Sequence, residues 1–266
     1  MPPKSTSLII TTYNWPQALD LVLASVLKQS VLADEVIVAD DGSTSATRDL
    51  VTKYQQAFPI PLMHSWQEDE GFRVSRARNK AIAKAAGEYI VLIDGDMVLH
   101  RHFIGDHKRA AQKKRFVQGR RCLLTDATSQ KALANQQIHF PILSPEIKNK
   151  MNALRIPLLS PLVSRLFSTQ SFYSVRSCNM AIWKEDLITV NGFNEDFVGW
   201  GREDSELVLR LLNTGVCRYD LRLGGIAYHL YHRENARNTL TQNTQLLENA
   251  INAHSRRCAR GLHEQG

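Results

Sequence analysis

The stretch Tyr89-Ile90-Val91-Leu92-Ile93-Asp94-Gly95-Asp96 decides the fold. Five apolar residues run straight into two carboxylates with a glycine between them. The apolar run reads as a buried strand of a parallel sheet. Ligands of such sheets bind beyond the carboxyl ends of the strands. An Asp-x-Asp at that place presents two hard oxygen ligands, which suit Mg2+ or Mn2+ bridged to a phosphate. Asp-Gly after a strand is equally a turn signal. These eight residues alone leave both readings open, and the rest of the chain has to decide.

Working outward, the same punctuation recurs. Leu8 to Thr12 is a β-branched strand, followed by Tyr13-Asn14-Trp15-Pro16 with a proline suited to the first helical position. Leu19, Val22, Leu23, Val26 and Leu27 then repeat at helical spacing. Glu35 to Ala39 is a second strand ending in Asp40-Asp41-Gly42-Ser43, with Ser43 or Thr44 as cap for a helix from Ser45 to about Ala57. A short strand passes through Leu62 and Met63. A third helix runs from about Val74 to Ala86 and stops at Gly87, a residue suited to a left-handed cap. The first ~100 residues thus alternate strand and helix, the signature of a parallel sheet with helices on both faces. Two of its strands end in acid pairs, Asp40-Asp41 and Asp94-x-Asp96, and in a parallel sheet these ends share one edge. A nucleotide with its metal explains both: one aspartate accepts hydrogen bonds from base or ribose while another holds the cation.

Gly71 to Lys80 carries four cations at a helix start, where the dipole favours anions, so a phosphate or carboxylates are expected beside it. Arg101 to Arg121 is strongly basic and reads as a solvated helix followed by a strand from Phe116 to Cys122. It lacks the interleaved aromatics of a nucleic-acid surface, and no nucleic acid is expected. Residues 126–175 are the least legible. Within them the apolar segment Pro157 to Phe167 reads as a mobile active-site loop, with an acceptor-facing or membrane-surface role as alternatives. Order returns with a strand over Cys178 to Trp183. Val198-Gly199-Trp200-Gly201-Arg202-Glu203-Asp204-Ser205-Glu206 sets a glycine-flanked Trp before an acidic helix start. Carboxylates there suit the dipole, while a Trp face stacks on sugar rings and an adjacent carboxylate can take a hydroxyl proton. Ile226 to His232 places His229 and His232 three apart at a strand end, candidate metal ligands. From about Glu234 the tail is polar and helical in character, with a loosely held C-terminus.

Composition bounds the rest. With 266 residues, 43% of them apolar, the chain can bury a sizeable core. The formal charge of +7 favours an anionic partner. Cys122, Cys178, Cys217 and Cys258 make no metal-ligand pattern. Free thiols, a polar N-terminus and no bilayer-length apolar run lead to the expectation of a cytoplasmic protein, peripheral at most at the inner face of a membrane.

In this order the pieces resemble the family-2 glycosyltransferases of the GT-A fold. The residues that carry the likeness are Ile9 to Asn14, Val36 to Ser43, Ala77-Arg78-Asn79 and Ile93 to Asp96. Cys178-Asn179-Met180, Gly192-Phe193 and Gly199 to Asp204 are similar to the carboxyl-terminal region shared with family-7 galactosyltransferases and chondroitin-polymerase-like enzymes. The resemblance implies a Rossmann-like, mostly parallel central sheet flanked by helices, with a C-terminal acceptor-binding region. Residues 1–233 would form one GT-A domain: a nucleotide-sugar half (1–122), a variable loop or lid (123–175) and an acceptor and catalytic half (176–233). Residues 234–266 would be a helical tail. Thr11, Tyr13, Asp40 and Asp41 would surround the base and ribose, Arg78 would approach the donor nucleotide, and Asp94 would face the ribose. Asp96 would bind a divalent cation, Mn2+ or Mg2+, with one or both of His229 and His232 completing its site. Trp200 would stack on a sugar, Glu203 would hold the acceptor and Asp204 would act as base.

The activity so implied is metal-dependent, inverting transfer of one sugar from a nucleotide-sugar, a UDP-sugar, to a hydroxyl of a glycan or glycolipid acceptor. The positive charge points to an anionic acceptor, and bacterial surface polysaccharide or lipopolysaccharide synthesis is the expected setting. The Gln-x-x-Arg-Trp pattern of processive polymer synthases is absent, which argues for single addition. A sugar-nucleotide pyrophosphorylase should show a glycine-rich phosphate loop after the first strand, where this chain has Tyr13-Asn14-Trp15-Pro16. A basic, non-catalytic binding module needs neither Asp96 nor the Glu203-Asp204 pair.

Overall fold

The computed structural model describes residues 2–265 apart from 143, 145 and 234–236. Strands β1 (Thr6–Thr12), β2 (Glu35–Asp40), β3 (Leu62–Trp66) and β4 (Tyr89–Asp94) alternate with helices α1 (Pro16–Leu27), α2 (Ser45–Gln55) and α3 (Val74–Lys84). There follow β5 (Met97–Leu99), α4 (Phe103–Ala110), β6 (Arg115–Gln118), β7 (Arg121–Leu124), α5 (Asp126–Asn135), β8 (Ile147–Lys148), α6 (Ser160–Phe167) and β9 (Asn179–Trp183). The chain closes through α7 (Lys184–Val190), α8 (Glu203–Asn213), β10 (Cys217–Asp220), β11 (Ala227–His229) and α9 (Leu240–Asn252).

Seven strands form the main sheet in the order β10-β6-β9-β4-β1-β2-β3. All neighbours are parallel except β9, which runs antiparallel to both β4 and β6. This is the mostly parallel, helix-flanked sheet that the strand–helix alternation predicts. One face is covered by α1 and α2 over Leu8, Ile10, Val36, Val38, Val91 and Ile93. The other is packed with Ile9, Ile37, Ile90 and Leu92 against Ile82 of α3 and Leu207, Val208 and Leu211 of α8. Odd and even positions of each strand thus serve opposite faces, which is why these strands read as unbroken apolar runs. The register sets Thr11 beside Asp94 and Thr12 beside Asp40, so the strand ends are level on one edge.

A smaller sheet, β5-β11-β7-β8, stands beyond that edge. The Asp94-Gly95-Asp96 turn carries the chain from the end of β4 in the main sheet into β5 of the second. The turn reading of this tripeptide is therefore observed, and the bend leaves both carboxylates at the sheet edge.

Four local expectations are corrected. The single strand over Phe116 to Cys122 is two, β6 and β7 in different sheets, broken at Gly119-Arg120. Helix α3 ends at Lys84 and Gly87 keeps an ordinary φ; a Cβ there would lie 2.4 Å from Ser7 Oγ, so the glycine permits close packing on β1 rather than a left-handed cap. Pro157 to Phe167 is mostly helix α6, with Pro161 in its first turn and Leu158, Leu162, Leu166 and Phe167 turned to solvent. The C-terminal segment is docked: Cys258 and Leu262 are buried, Asn191 Nδ2 donates to Cys258 O at 3.0 Å, and Leu262 N donates to Asn191 O at 2.8 Å. Glu234, where the tail was expected to begin, lies outside the described residues. No helix among the described residues is long and apolar enough to cross a membrane.

Candidate active site

A cavity of about 610 Å3 opens at the carboxyl edge of β1 and β4. It is lined by every residue singled out from the sequence except Asp40.

The wall made by β1, β2 and α3 carries the donor-side candidates. Tyr13 is 51% exposed and its hydroxyl donates to Asp69 Oδ2 at 3.0 Å. Asp41 accepts from Gln67 Nε2 at 2.7 Å and from Arg73 N at 2.9 Å. Burial outweighs these bonds and pushes its pKa up to about 6. Asp40 faces the other way. Its Oδ1 accepts from Ser43 N at 2.8 Å and its Oδ2 lies 2.8 Å from His64 Nε2, with no surface exposed. Strand alternation sends consecutive residues to opposite sides, so Asp41 reaches the cavity while Asp40 fastens the turn that positions it.

Of the four cations at the start of α3, Arg78 enters the site. It is buried, with Nη2 donating to Asp94 Oδ1 at 3.1 Å, Nε donating to Thr11 Oγ1 at 3.3 Å and Nη1 3.6 Å from both Glu203 Oε1 and Asp204 Oδ1. The expected anions beside this cluster are carboxylates of the chain itself. Arg76 pairs instead with Glu70 at 3.0 Å.

Asp96 sits opposite His229 and His232. Antiparallel pairing of β5 with β11 sets Met97 beside His229, and Leu230 N donates to Asp96 O at 3.0 Å. Asp96 Oδ2 is consequently 3.4 Å from His229 Nε2 and 3.2 Å from His232 Nε2. These are the residues whose ligand atoms converge closely enough to hold a metal ion, among those described. Asp96 Oδ1 is buried with no hydrogen-bond partner, an orphaned acceptor of the kind a cation satisfies. His232 Nδ1 lies 2.7 Å from Arg233 O. Donation to that carbonyl turns Nε2 toward Asp96, where loss of its proton would leave a lone pair for a cation. One carboxylate and two imidazoles fit a divalent transition metal. Burial alone would raise the Asp96 pKa, but the two histidines and Arg121 outweigh it and the net shift is downward. The hydrogen bond to Asp96 lifts His232 to about 9, whereas burial lowers His229.

The opposite wall is the start of α8 with the segment Ser174 to Cys178. Asp204 Oδ2 accepts from Ser177 N at 3.0 Å, while its Oδ1 is buried without a hydrogen bond. Glu203 is raised to about 7 by burial and by the charge of Asp204 beside it. Trp200 is 37% exposed, and the Arg237 guanidinium lies 5.0 Å from its ring centre. Arg202 holds a left-handed backbone, φ 77°, as the residue preceding α8, and its Nε donates to Thr244 Oγ1 at 3.3 Å. Asn243 of α9 donates to Val198 O at 3.2 Å. The tail thereby braces the Trp200 loop.

Sequence reasoning missed Phe72, Arg121, Arg176, Arg202, Arg237 and Leu240, all on the cavity wall. Arg121 had a signal: in Arg121-Cys122-Leu123-Leu124 alternate residues are buried, so the arginine stands on the open face of a strand. The expected lid does not line this cavity, whose contribution from 123–175 is limited to Ser174 and Val175.

The sequence and the topology match known proteins. Residues 7–177 match the glycosyl transferase family 2 model, and residues 163–233 match the model described as the N-terminal domain of galactosyltransferase. The chain is 27% identical over 244 residues to a chondroitin synthase of Escherichia coli, a match covering 84% of this chain and 34% of that protein. It is 30% identical over 226 residues to the validoxylamine A glucosyltransferase of Streptomyces hygroscopicus subsp. jinggangensis, covering 79% of this chain and 52% of that one. The chain thus spans between a third and about half of these relatives' length. A mannosyltransferase of Pyrobaculum calidifontis, solved with GDP-Man and Mn2+, superposes with a TM-score of 0.64 at 20% identity, over 95% of this chain and 65% of that one. Staphylococcus aureus TarS residues 1–349 with UDP gives 0.62 at 15% identity, over 98% and 68%. The fold is that of the GT-A glycosyltransferases. With the family-2 model spanning more than half of its residues, the chain belongs to glycosyl transferase family 2.

Proposed function

We propose that this glycosyltransferase is a divalent-metal-dependent, inverting enzyme that adds single sugars from a UDP-sugar to a glycan hydroxyl. The observation that carries this reading is one cavity with Asp96, His229 and His232 on one wall and Glu203 and Asp204 on another, the latter pair facing Asp94 through Arg78. Mn2+ or Mg2+ held by Asp96, His229 and His232 would neutralise charge growing on the leaving diphosphate. Two imidazole nitrogens favour Mn2+ over Mg2+, which prefers oxygen. Thr11, Tyr13 and Asp41 would hold the base and ribose, with Asp94 fixed by Arg78 at the ribose edge. Trp200 would stack on a sugar ring. Glu203 would orient the acceptor hydroxyl, and Asp204, anchored by Ser177 N through one oxygen, would receive its proton on the other. A base on the side opposite the leaving group makes one direct displacement, which inverts the anomeric centre.

Similarity to proteins named as chondroitin synthases supports a role in polysaccharide assembly. The acceptor we assign is a bacterial surface glycan, such as the lipopolysaccharide core, and the net charge favours an anionic one. The exposed apolar residues of α6, with Leu158 93% exposed beside it, support peripheral contact with a membrane that carries a glycolipid acceptor. We take 1–233 as the catalytic unit and 234–266 as a tail that braces it.

The test is a screen of UDP- and GDP-sugars, with and without Mn2+, for thermal stabilisation, followed by transfer assays on the hits. A metal-dependent rise in Tm with a UDP-sugar supports the reading. Stabilisation by no nucleotide sugar, or transfer surviving Asp204→Asn undiminished, would overturn it. A ladder of products of increasing mass, rather than one added sugar, would overturn single addition.

A further inference from the structure

A second cavity of about 530 Å3 adjoins the first and shares Arg121, Ser174, Arg176 and Cys178 with it. Arg120, Arg218 and Arg222 join Arg121 and Arg176 on its walls, against one carboxylate, Asp220. Arg218 is only 6% exposed. Its Nη2 donates to Asp220 Oδ1 at 2.7 Å and its Nη1 to the carbonyls of Ser171 and Tyr173 at 2.7 and 2.9 Å, but its Nε is buried with no partner. Arg222 Nε is likewise buried without a partner, and its guanidinium lies 5.6 Å from the Phe167 ring. Burial lowers the pKa of Arg120 and Arg222, and neighbouring guanidiniums lower it further. Five arginines around one aspartate repel one another: Arg120 and Arg176 are exposed, while Arg218 and the Nε of Arg222 are shut away from water. Such a cluster is stabilised when an anion enters it, because guanidinium N–H groups match carboxylate and phosphate oxygens in pairs.

The position of the cavity says which ligand reaches it. Its shared wall includes Arg176 and Cys178, on either side of Ser177, whose N–H holds Asp204. Thr11, Tyr13 and Asp41 line the first cavity alone. A chain running from the base Asp204 across this wall leads away from the nucleoside end. Resting on the glycosyltransferase reading above, we propose that the arginine cavity is an acceptor subsite for one anionic group, a carboxylate or a phosphate, carried by the glycan beside the residue that receives the sugar. The subsite selects acidic acceptors: a neutral glycan leaves the arginines unpaired, and specificity built on unpaired buried polar groups is severe.

The experiment compares the wild-type chain with Arg120→Gln/Arg222→Gln, which leaves the buried Arg218–Asp220 pair in place. Thermal unfolding is followed with UDP and Mn2+ saturating the donor side, while inorganic phosphate, glucuronate or neutral glucose is titrated at constant ionic strength. A saturable rise in Tm with phosphate or glucuronate but not glucose, weakened at least tenfold in apparent affinity in the double variant, supports the subsite. The stronger of the two anions names the group. The anion-excluding effect of phosphate on any folded protein is equal in both chains and cancels. Retained stabilisation by UDP and Mn2+ in the double variant shows that it is folded. Equal anion affinity in the two chains, no saturable effect in either, or loss of the effect on adding UDP (an anion held in the donor site) each overturns the proposal. If UDP with Mn2+ does not stabilise the wild type, the donor reading falls, and the anion titration without nucleotide still decides the cavity.

Discussion

Arg78 donates from Nη2 to Asp94 Oδ1 at 3.1 Å, tying the last residue of β4 to the middle of α3. The other end of the same fork faces Glu203 and Asp204 at the start of α8, 3.6 Å from each. One buried guanidinium thereby sets the donor-side strand and the acceptor-side helix in a common frame. Burial works against its charge, and the three carboxylates more than compensate, raising its pKa. Arg78→Met keeps the volume and removes that compensation. Leaving buried charges unpaired costs about 3–5 kcal/mol, so the Tm falls by about 10 °C on the scale of ~2–4 °C per kcal/mol for chains of this size. Transfer activity falls by ~100-fold or more. Arg78→Lys restores the charge without the planar fork and should recover stability more than activity. Differential scanning calorimetry with initial-rate kinetics separates the two.

Mn2+ affinity should rise with pH. His232, lifted to about 9 by its hydrogen bond to Asp96, carries a proton at neutral pH, and a metal must displace that proton. His229 is lowered by burial and is already neutral there, so it adds no slope. Binding that releases one proton strengthens about tenfold per pH unit below the histidine pKa and levels above it. Isothermal titration with Mn2+ from about pH 6.5 to 8.5 measures the slope. His232→Gln should flatten the slope and weaken binding by ~10–100-fold, while Asp96→Ala should abolish binding. A pH-independent affinity in the wild type would remove His232 from the ligand set.

The acidic limb of kcat/KM should lie near pH 7. Glu203 is held at about 7 by burial and by the charge of Asp204, so it gives up its proton as pH rises through neutrality. Ionised, Glu203 accepts a hydrogen bond from the acceptor hydroxyl more strongly, so the rate climbs through that range. Glu203→Gln takes away the titrating neighbour and moves the limb to lower pH, with partial activity retained. Asp204→Asn should cost ~10^2–10^4 in kcat at every pH. Stability runs the other way. A carboxyl whose folded pKa exceeds its unfolded value binds more protons folded, so its contribution is lost as pH rises from about 4.5 to about 7. The Tm advantage of Glu203→Gln over the parent should widen between pH 5 and pH 8.

Much of this site was legible because the signals are local. An apolar run ending in Asp-x-Asp, or a Trp between glycines before an acidic helix start, needs no distant partner to be read. Asp40 and Asp41 were not separable from sequence, because which of two neighbours faces the cavity is settled by His64 on β3 and the Gly42-Ser43 turn. Arg121 lay hidden in a basic run, since charge counting cannot see that the chain changes sheets at Gly119-Arg120. The second sheet as a whole depends on β5, β11, β7 and β8, strands of two to four residues, and β11 pairs across more than a hundred positions with both β5 and β7. The docking of Leu262 against Asn191 is non-local in the same way. Helix α6 misled for another reason: its exposed leucines resemble the apolar residues of a lid, and Pro157 before it and Pro161 in its first turn those of a loop.

Gly119 offers a test of how the second sheet holds Asp96, His229 and His232. A Cβ there would lie 2.0 Å from Asn179 Oδ1. That amide donates from Nδ2 to Arg120 O at 2.7 Å and to Gly225 O at 2.9 Å, and its Oδ1 meets His107 Nε2 at 2.9 Å. Asn179 therefore fastens the residue before β7 and the approach to β11, the strand that ends in His229. Gly119→Ala should destabilise by about 1–3 kcal/mol through overpacking, and should weaken Mn2+ binding although no ligand is altered. Asn179→Ala makes room for the methyl but forfeits the three bonds. If steric conflict with Asn179 is the whole cost of Gly119→Ala, then Gly119→Ala/Asn179→Ala is no less stable than Asn179→Ala alone, a strongly non-additive cycle. Additive losses in Tm would mean that Gly119 is constrained by the backbone instead. Unchanged Mn2+ affinity in both single variants would show that β5 and β11 hold Asp96, His229 and His232 without this amide.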